Sequence, residues 1–272
     1  MQQHRIVFIG AGNMARTMAL GLLAAGVDPA SITMTNRSSE KLIPFEKLGM
    51  QITTDNATAV KQADVVVLAV KPYQIAAVCA QIGSVLPEQA VIISVAAGVP
   101  MQFITQQLGR LVPVFAAMPN IASAVESGVT GLCANEIATD AQLDEVEAFF
   151  STMGMVVWLE DEEGLAPVAA VSGSGIAYFF QFMAYMQNAA KAYGLPEDVL
   201  KYMIAQTALG AAKMALEWED TFPVLCRQVA SPQGATAEGL AVMESAHMQQ
   251  TVEATMQAVL KRLAQMTEDL CN

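Results

Sequence analysis

Three small residues, Gly10, Gly12 and Ala15, have the spacing G-x-G-x-x-A directly after the apolar run Ile6–Ile9. The first glycine permits a tight turn, the second lets a backbone approach a phosphate closely, and the alanine lets a helix pack near a strand. A helix that starts here also presents free N–H groups and about half a positive charge. The order of strand, turn and helix therefore predicts a site for the pyrophosphate of a dinucleotide. The residues predicted to bind it are Gly10, Ala11, Gly12, Asn13 and Met14.

The type of nucleotide depends on the residues after the second predicted strand, Ile32–Thr35. An NAD site normally has Asp or Glu there, about 20 residues beyond the glycines, to bind the ribose 2′-hydroxyl. Here the strand is followed by Asn36, Arg37 and Ser38, and no carboxylate occurs before Glu40. Because guanidinium and hydroxyl groups bind a 2′-phosphate that a carboxylate would repel, these residues indicate NADP. A solvated arginine in an ordinary turn is the alternative interpretation.

Two further turns follow predicted strands, Ala69-Val70-Lys71-Pro72 and Ala96-Ala97-Gly98. Ligands of open α/β sheets bind at the carboxyl ends of the strands. We therefore expect both turns to face the cofactor through their backbone groups. Lys71 is a candidate catalytic acid, and a structural or phosphate-side cation is the alternative.

The segment Ser231-Pro232-Gln233-Gly234-Ala235-Thr236 predicts an anion site in the second half of the chain. Ser231 has the residue type of an N-cap and Pro232 that of a first helical position. Backbone N–H groups from Gln233 to Thr236 would then bind an anion, and a carboxylate fits such a site. An ordinary capped helix is the alternative interpretation.

The segment of residues 165–190 contains no charged residue. Its polar residues, among them Gln181, Gln187 and Asn188, argue against a bilayer span. A helix that is apolar on nearly all sides is more simply buried in protein, so the segment predicts a subunit interface. Glycine within a helix costs about 1 kcal/mol. Ser172-Gly173-Ser174-Gly175 therefore predicts close approach of another helix or of the cofactor loops.

The composition restricts the classes of partner. The 272 residues are 54% hydrophobic and carry a net charge of −12, and the mean hydropathy is +0.39. Such a chain is expected to fold, and its charge argues against nucleic acid and anionic membranes as partners. Two His and four Cys without metal-ligand spacing predict no metal site. The thiols are expected to be free in a reducing cytoplasm.

Strands and helices alternate in the first half of the sequence, which predicts a parallel, doubly wound sheet. Predicted strands cover residues 6–9, 32–35, 51–52, 65–69, 91–95, 112–116 and 131–134, with helices over 14–25, 39–48, 56–61 and 73–85, and the pattern changes after residues 156–159. The predicted helices of the second half cover residues 165–193, 196–216, 223–228, 234–246 and 247–270. We place the boundary near residue 160. The predicted domains are an NADP-binding Rossmann domain over 1–160 and an all-helical dimerisation and substrate domain over 161–272.

The chain resembles the pyrroline-5-carboxylate reductase family over essentially its whole length. The motifs that carry the resemblance occur in the family's order: Gly10-Ala11-Gly12-Asn13-Met14, Asn36-Arg37-Ser38, Ala69-Val70-Lys71-Pro72, Ala96-Ala97-Gly98, Met118-Pro119-Asn120, Ser172-Gly173-Ser174-Gly175 and Ser231-Pro232-Gln233-Gly234-Ala235-Thr236.

The resemblance implies a cytoplasmic oxidoreductase of proline biosynthesis, a branch of amino-acid biosynthesis, which reduces the imine 1-pyrroline-5-carboxylate to L-proline. NADP(H) is the implied cofactor, and the resemblance also allows use of NAD(H). The implied fold is an α/β Rossmann-type domain followed by an all-α dimerisation domain. The implied assembly is a homodimer, or a larger homo-oligomer built from dimers, with each active site near the dimer interface.

The resemblance also implies roles for individual residues. The substrate carboxylate would bind the N–H groups around Ala235 and Thr236. The Thr236 hydroxyl would face the ring nitrogen as a hydrogen-bond donor or water relay, which makes it the implied catalytic residue. The implied substrate-binding residues are Glu219, Gln228, Ser231, Gly234, Ala235 and Thr236. Beyond the glycine turn, the implied cofactor-binding residues are Asn36, Arg37, Ser38, Asn56, Ala69, Val70, Lys71, Pro72 and Ala97.

The sequence departs from the family pattern at two positions. Gln233 stands where glycine is common, and Ile176 stands where S-G-S-G is usually followed by Pro. The first lies beside the predicted carboxylate site, so it bears on substrate preference. Two other functions stay open at this point. One is an NADP-dependent reductase such as a β-hydroxyacid dehydrogenase, although no lysine of the helical half has that family's surrounding motif. The other is an NADP-sensing protein without catalytic activity.

Overall fold

A computed structural model of the chain describes residues 4–271. The chain divides into two compact units. The sheet unit extends to Ile176 and resumes at Val259, and the helical unit is Ala177–Ala258. The compact units divide at residue 176, later than the predicted boundary near residue 160. That boundary, as the division between the cofactor-binding and substrate-binding domains, stays a prediction.

The sheet unit is built on one eight-stranded sheet of order β3-β2-β1-β4-β5-β6-β7-β8. All neighbouring strands are parallel except β6 and β7. The strands are β1 (Ile6–Ile9), β2 (Ile32–Thr35), β3 (Gln51–Thr53), β4 (Val65–Leu68), β5 (Val91–Ser94), β6 (Val114–Pro119), β7 (Gly128–Ala134) and β8 (Gly154–Trp158).

The antiparallel pair β6 and β7 corrects the prediction of a wholly parallel sheet. Only residues 120–127 connect the two strands. A crossover between parallel strands needs a dozen or more residues, so this short connection reverses the chain instead. The doubly wound Rossmann arrangement of the preceding strands is confirmed.

The helices of the chain are α1 (Asn13–Ala24), α2 (Ile43–Glu46), α3 (Asn56–Val60), α4 (Ile75–Ile82), α5 (Met101–Leu108), α6 (Asp140–Ser151), α7 (Leu165–Val168), α8 (Gly175–Ala190), α9 (Glu197–Glu217), α10 (Phe222–Val229), α11 (Ala235–Ser245) and α12 (Met248–Cys271). Helices α5 and α6 were absent from the predicted set. Between α7 and α8, Ala169–Gly173 forms a π-helical turn.

Two hydrophobic clusters cover the two faces of the sheet. Because successive strand residues point to opposite faces, Ile6 and Phe8 join one cluster, and Val7 and Ile9 join the other. The first cluster contains the buried faces of α1 and α6, and the second those of α3, α4 and α5. All four residues of β4 are buried, as its uninterrupted apolar sequence predicts.

The sheet unit also contains chain segments from the second half of the sequence. Val168 packs on Gly131 of β7, where an added Cβ would lie 3.0 Å from the Val168 Cγ1. Thr267, near the end of α12, lies against Gly98 after β5. These contacts place residues 161–176 and the end of the chain with the sheet and not with the helical unit.

The helical unit exposes many large apolar side chains. In α8, Phe179 is 66% exposed, Phe180 59% and Tyr185 63%. By length and composition alone, the helical stretch Glu162–Tyr193 could cross a bilayer. Apolar side chains that one chain leaves exposed in this number indicate a surface that is covered in an assembly.

Candidate active site

Gly10 forms the tight turn between β1 and α1. Its φ of +110° is a conformation that side chains disfavour, and an added Cβ would overlap the carbonyl oxygen of Ala69. The Gly10 N–H donates to the Thr35 carbonyl at 3.0 Å. This glycine is therefore required by the protein itself, because the turn brings β1, β2 and the residue after β4 together.

Gly12 is open on the side where its Cβ would project, since no described atom lies within 4 Å of that position. It is the N-cap residue of α1, with φ −83° and ψ −176°, and it has no side chain that could bond to the first N–H groups of the helix. The Arg16 N–H donates to the Gly12 carbonyl at 3.0 Å, so the N–H groups of the three residues between them have no carbonyl partner within the helix. Open space beside these donors fits a pyrophosphate.

The two glycines give a matched pair of variants. Gly10→Ala should destabilise the protein by about 2–4 kcal/mol, because it combines a positive φ with overlap at Ala69. Gly12→Ala should change the free energy of unfolding by less than about 0.5 kcal/mol, yet raise the Kd for NADPH about tenfold by blocking the phosphate. Chemical denaturation and nucleotide titration measure the two effects. Unchanged NADPH affinity in Gly12→Ala would contradict the placement of the pyrophosphate.

A cleft of about 530 Å³ opens beside this turn, at the carboxyl ends of β1, β2 and β4. Arg37, Lys41 and Lys71 line it, and no carboxylate occurs among the described residues that line it. A cleft with three cations in a chain of net charge −12 is suited to an anionic ligand.

Lys41 is a cleft residue that the sequence analysis missed. It ends the 3₁₀ turn Ser39–Lys41, and this turn places it in the cleft with Arg37. A basic residue four positions after Arg37 was the available signal. Two neighbouring cations would hold a 2′-phosphate more firmly than one.

Asn36 holds the turn that presents Arg37. Its Oδ1 accepts from the Ser38 N–H at 2.9 Å, and its own N–H donates to the Thr53 carbonyl at 3.4 Å. Ser38 is half-buried and is not among the residues that line the cleft. Ser38 therefore acts in the structure through its backbone, as the second end of an Asx turn.

The structure brings six of the predicted cofactor residues to the cleft: Gly10, Asn36, Arg37, Asn56, Val70 and Lys71. Ala11, Gly12, Asn13 and Met14 continue the glycine turn into α1, and Ala69 and Pro72 flank the lining residues Val70 and Lys71. Ala97 lies elsewhere, in a second cavity of about 310 Å³ at the ends of β5 and β6.

Glu162 lines this second cavity and was not predicted from the sequence. Its Oε1 accepts from the Met101 N–H at 2.7 Å, at the start of α5. Burial raises the pKa of Glu162, and the hydrogen bond from Met101 only partly offsets that rise. Because it serves the N-terminus of a helix, Glu162 has a structural role here.

Two of the described cysteines are buried, and their burial decides their reactivity. Cys79 and Cys133 are buried and Cys226 is exposed, and all three are free thiols. Burial raises the pKa of Cys79 and of Cys133 to about 12. Both thiols are therefore protonated and unreactive near neutral pH. The side chain of Cys271 lies outside the described part.

The segment before α11 corrects the predicted cap. The N-cap residue is Gly234, not Ser231, whereas the start of α11 at Ala235 lies within one residue of the predicted helix over 234–246. The Gly234 N–H donates to the Ser231 carbonyl at 3.0 Å, which closes a turn, and Gln233 has a φ of +59° that cannot continue a helix. This left-handed position is one that glycine adopts readily and that Gln233 occupies here at some cost in strain.

The corrected cap leaves free N–H groups that fit the predicted anion site, shifted by a few residues. The first N–H bonded within the helix is that of Glu238, to the Gly234 carbonyl at 3.3 Å. The N–H groups of Ala235, Thr236 and Ala237 therefore have no helical acceptor. Ala235 and Thr236 are exposed, so these donors are accessible in the described chain.

Gln228 and Glu219 lie in the same helical unit. The Gln228 side chain, on α10, donates from Nε2 to the Asp220 Oδ2 at 2.8 Å. Glu219 is exposed and precedes Asp220 in the connection between α9 and α10. Asp220 thus positions Gln228, and the sequence analysis had not identified it.

Within the described chain no other segment approaches the glycines of the motif Ser172-Gly173-Ser174-Gly175 closely, so the approach of another helix or of the cofactor loops stays a prediction. No described atom lies within 4 Å of an added Cβ at Gly175, and Gly173 meets only the Ala169 Cβ, at 3.8 Å. The motif overlaps the end of the π-helical turn Ala169–Gly173, where the Ser174 N–H donates to the Ala169 carbonyl at 2.8 Å. Asn120 Nδ2 donates to the Ser172 carbonyl at 3.3 Å, which ties the turn to the end of β6. Such turns occur frequently at functional sites.

Comparisons with known proteins match both halves of the chain. Residues 162–266 match the family described as pyrroline-5-carboxylate reductase dimerisation. Residues 5–98 match the family described as NADP oxidoreductase, coenzyme F420-dependent.

Individual relatives match nearly the whole chain. A pyrroline-5-carboxylate reductase of Pseudomonas aeruginosa is 38% identical over 271 residues, 99% of each chain. The solved structure of a pyrroline-5-carboxylate reductase from Coxiella burnetii is 41% identical, with a TM-score of 0.88 over 97% of this chain and 98% of that one. The Plasmodium falciparum pyrroline carboxylate reductase, solved with NADP bound, is 23% identical and has a TM-score of 0.90 over 98% of this chain and 99% of that one. At this identity the comparison shows a shared fold.

Proposed function

The chain belongs to the pyrroline-5-carboxylate reductase family, and from that premise we propose how its own residues perform the reaction. The protein is an NADP-dependent oxidoreductase of proline biosynthesis that reduces 1-pyrroline-5-carboxylate to L-proline. The observation that carries this function is identity of 38% and 41% to reductases matched along nearly the whole chain. When bound, NADPH supplies the hydride that adds to the imine carbon.

We infer that the sheet unit binds the cofactor at two places. The donors after Gly12 take the pyrophosphate, supported by the open space at this residue. Arg37 and Lys41 take the 2′-phosphate, supported by their position in a cleft lined by cations. Lys71, a third cation of this cleft, is proposed to lie on the phosphate side and not to act as the catalytic acid.

The helical unit is proposed to bind the substrate carboxylate at the start of α11. The N–H groups of Ala235 and Thr236 would donate hydrogen bonds to the carboxylate at the positive end of the helix. A threonine hydroxyl is a poor acid near neutral pH. Thr236 is therefore proposed to donate a hydrogen bond to the imine nitrogen, directly or through a water. Solvent water supplies the proton that this nitrogen gains as the hydride adds to the imine carbon. Glu219, Gln228, Ser231 and Gly234 are proposed to complete the binding of the substrate.

The reaction is tested by measuring the oxidation of NADPH, by its absorbance, with several cyclic imines and with 2-keto and 3-oxo acids. The five-membered imine 1-pyrroline-5-carboxylate should be reduced, and the keto acids should leave NADPH unchanged. Turnover of a keto acid in place of the imine would favour a dehydrogenase. Binding of NADPH without turnover of any substrate would favour a sensor.

The protein forms a homo-oligomer, since its helical half matches a dimerisation family. We propose that this oligomer is a dimer, or is built from dimers, and that the exposed apolar face of α8 forms the interface. This assignment replaces the bilayer that the composition of Glu162–Tyr193 would also allow. A net charge of −12 supports the absence of nucleic acid and anionic membrane partners. A cytoplasmic location is proposed on the same grounds, together with the free thiols.

Light scattering should give at least twice the 28.9 kDa mass of one chain, down to nanomolar concentration, because a large apolar interface binds tightly. Phe180→Lys, at a side chain that is 59% exposed, should lower the mass and the activity together. Val125→Lys, at a side chain 70% exposed in the sheet unit, is the control and should change neither. A stable, active monomer of the parent protein would contradict the obligate dimer.

A further inference from the structure

Three side chains from different elements form a hydrogen-bonded network beside the cation-lined cleft. Thr35 is the last residue of β2, Asn56 the first of α3, and Gln81 lies in the final turn of α4. The Thr35 hydroxyl donates to the Asn56 Oδ1 at 2.6 Å, and the Asn56 Nδ2 donates to the Gln81 Oε1 at 2.9 Å. All three line the cleft.

The hydrogen-bonding capacity of the Asn56 amide decides what this network presents. An asparagine amide has one oxygen and two N–H donors. Thr35 occupies the oxygen and Gln81 occupies one N–H, so the second N–H is available to a ligand in the cleft. An amide rotated by half a turn would present its oxygen instead. With the Gln81 Oε1 facing Asn56, as the structure has it, the amide presents a donor to the cleft.

The place of the network in the fold identifies the group it serves. The end of the second strand is where dinucleotide sites bind the adenosine ribose, normally through an acidic acceptor. Here the residue at the end of that strand, Thr35, is fully buried and directed at Asn56. The Asn56 N–H donor would then take the place of the acidic acceptor that normally binds the ribose. A donor binds a ribose oxygen with or without a 2′-phosphate, whereas a carboxylate would repel the phosphate.

We propose that Gln81 is a positioning residue that orients the Asn56 amide toward the adenosine ribose of the cofactor. The inference rests on the cofactor site proposed above. It adds a residue that does not belong to any motif of the sequence analysis, and it assigns Asn56 to the ribose that NADPH and NADH share. Gln81 is exposed, so changing it should not impair folding.

Equilibrium titration of NADPH and NADH with Gln81 variants tests the proposal. Gln81→Leu removes the acceptor and should raise the Kd for NADH, and that for NADPH, about fivefold to tenfold. Gln81→Glu keeps an acceptor for Asn56, so it should retain nearly the parent Kd for NADH. Its negative charge should weaken the binding of NADPH, because it repels the 2′-phosphate. Gln106→Leu makes the same change at an exposed glutamine of α5 outside the cleft and should change neither Kd.

A double-mutant cycle distinguishes positioning from direct contact. In an Asn56→Ala background, Gln81→Leu should have no further effect on the Kd for NADH, because it acts through Asn56. A full, independent loss in that background would overturn the proposal. So would an unchanged NADH affinity in Gln81→Leu, or a Gln81→Glu variant as weak for NADH as Gln81→Leu.

The titrations need no substrate, which separates this inference from the proposed reaction. A parent protein that binds both nucleotides but does not reduce the imine would refute the reaction, and the role of Gln81 would still be decided by the variants. A parent protein that binds neither nucleotide would overturn the cofactor site and the role of Gln81 together.

Discussion

Arg37→Ala should raise the Kd for NADPH about 10- to 100-fold while the Kd for NADH stays nearly unchanged. The guanidinium is exposed at the cation-lined cleft directly after β2, where the 2′-phosphate is proposed to bind. A hydrogen bond to a charged group contributes about 1.5–3 kcal/mol, which corresponds to that factor in affinity. NADH lacks the phosphate and therefore loses no partner. Fluorescence titration with each nucleotide measures the two constants.

Two lysines provide the comparison for Arg37. Lys41→Ala should also raise the Kd for NADPH, but by a smaller factor than Arg37→Ala. The reason is that an ammonium on a flexible stem makes no bidentate contact with phosphate. Lys47→Ala removes an exposed charge that lies outside the cleft and should leave both constants unchanged. Equal losses of NADPH and NADH affinity in Arg37→Ala would show that the variant distorts the turn, and would contradict the assignment to the 2′-phosphate.

The central strands were predictable because strands buried on both faces are short, uninterrupted apolar runs. Val65–Leu68 is such a run, and all four of its residues are buried. The direction of β7 was not predictable from its own residues, because a strand pattern does not specify which way its partner runs. Only the short connection of residues 120–127 carries that information.

The two unpredicted helices had local signals that the hydrophobic pattern did not reveal. Thr139 and Gln142 bond reciprocally at the start of α6, through 3.0 Å and 3.4 Å hydrogen bonds. This pair is a capping box. Gly109, with a φ of +69°, ends α5 in the left-handed conformation that commonly terminates helices. Cap residues were therefore more informative here than periodicity.

Site residues were predictable where a motif within one segment of the sequence identifies them. They were not predictable where the packing of separate elements brings them to the site. Gly10 and Arg37 follow from motif spacing along one segment. Gln81 joins the cleft only because α4 packs beside the start of α3, which no single segment specifies. The wrong N-cap at Ser231 arose because nothing in a Ser-Pro pair predicts the positive φ of Gln233.

Thr236→Val should lower the turnover of 1-pyrroline-5-carboxylate about 10- to 100-fold, with nearly unchanged NADPH affinity. Valine keeps the volume of the side chain and removes only the hydroxyl. The imine nitrogen therefore lacks a hydrogen-bond donor in the step in which it is protonated. Among the described residues, the Thr236 hydroxyl has no hydrogen-bond partner, and Gly234 is the cap of α11. The variant should therefore not weaken the helix.

Thr207→Val is the matched control for this hydroxyl. The Thr207 Oγ1 donates to the Met203 carbonyl at 2.8 Å within α9 and is exposed in the same helical unit. Steady-state kinetics with the imine should give the parent turnover for Thr207→Val. If Thr236→Val also reduces the imine at the parent rate, Thr236 has no catalytic role.

Ala235→Pro separates anchoring of the carboxylate from orientation at the nitrogen. Ala235 is the first residue of α11, a position where proline is favoured, and the preceding Gly234 has the extended φ of −81° and ψ of 163° that proline requires before it. The helix should therefore persist while one carboxylate-binding N–H is lost. The KM for the imine should rise about tenfold with a smaller change in kcat, whereas Ala235→Gly, which keeps the N–H, should stay close to the parent KM. An unchanged KM in Ala235→Pro would place the carboxylate elsewhere, and Thr236 would then have to act on a substrate anchored by other residues.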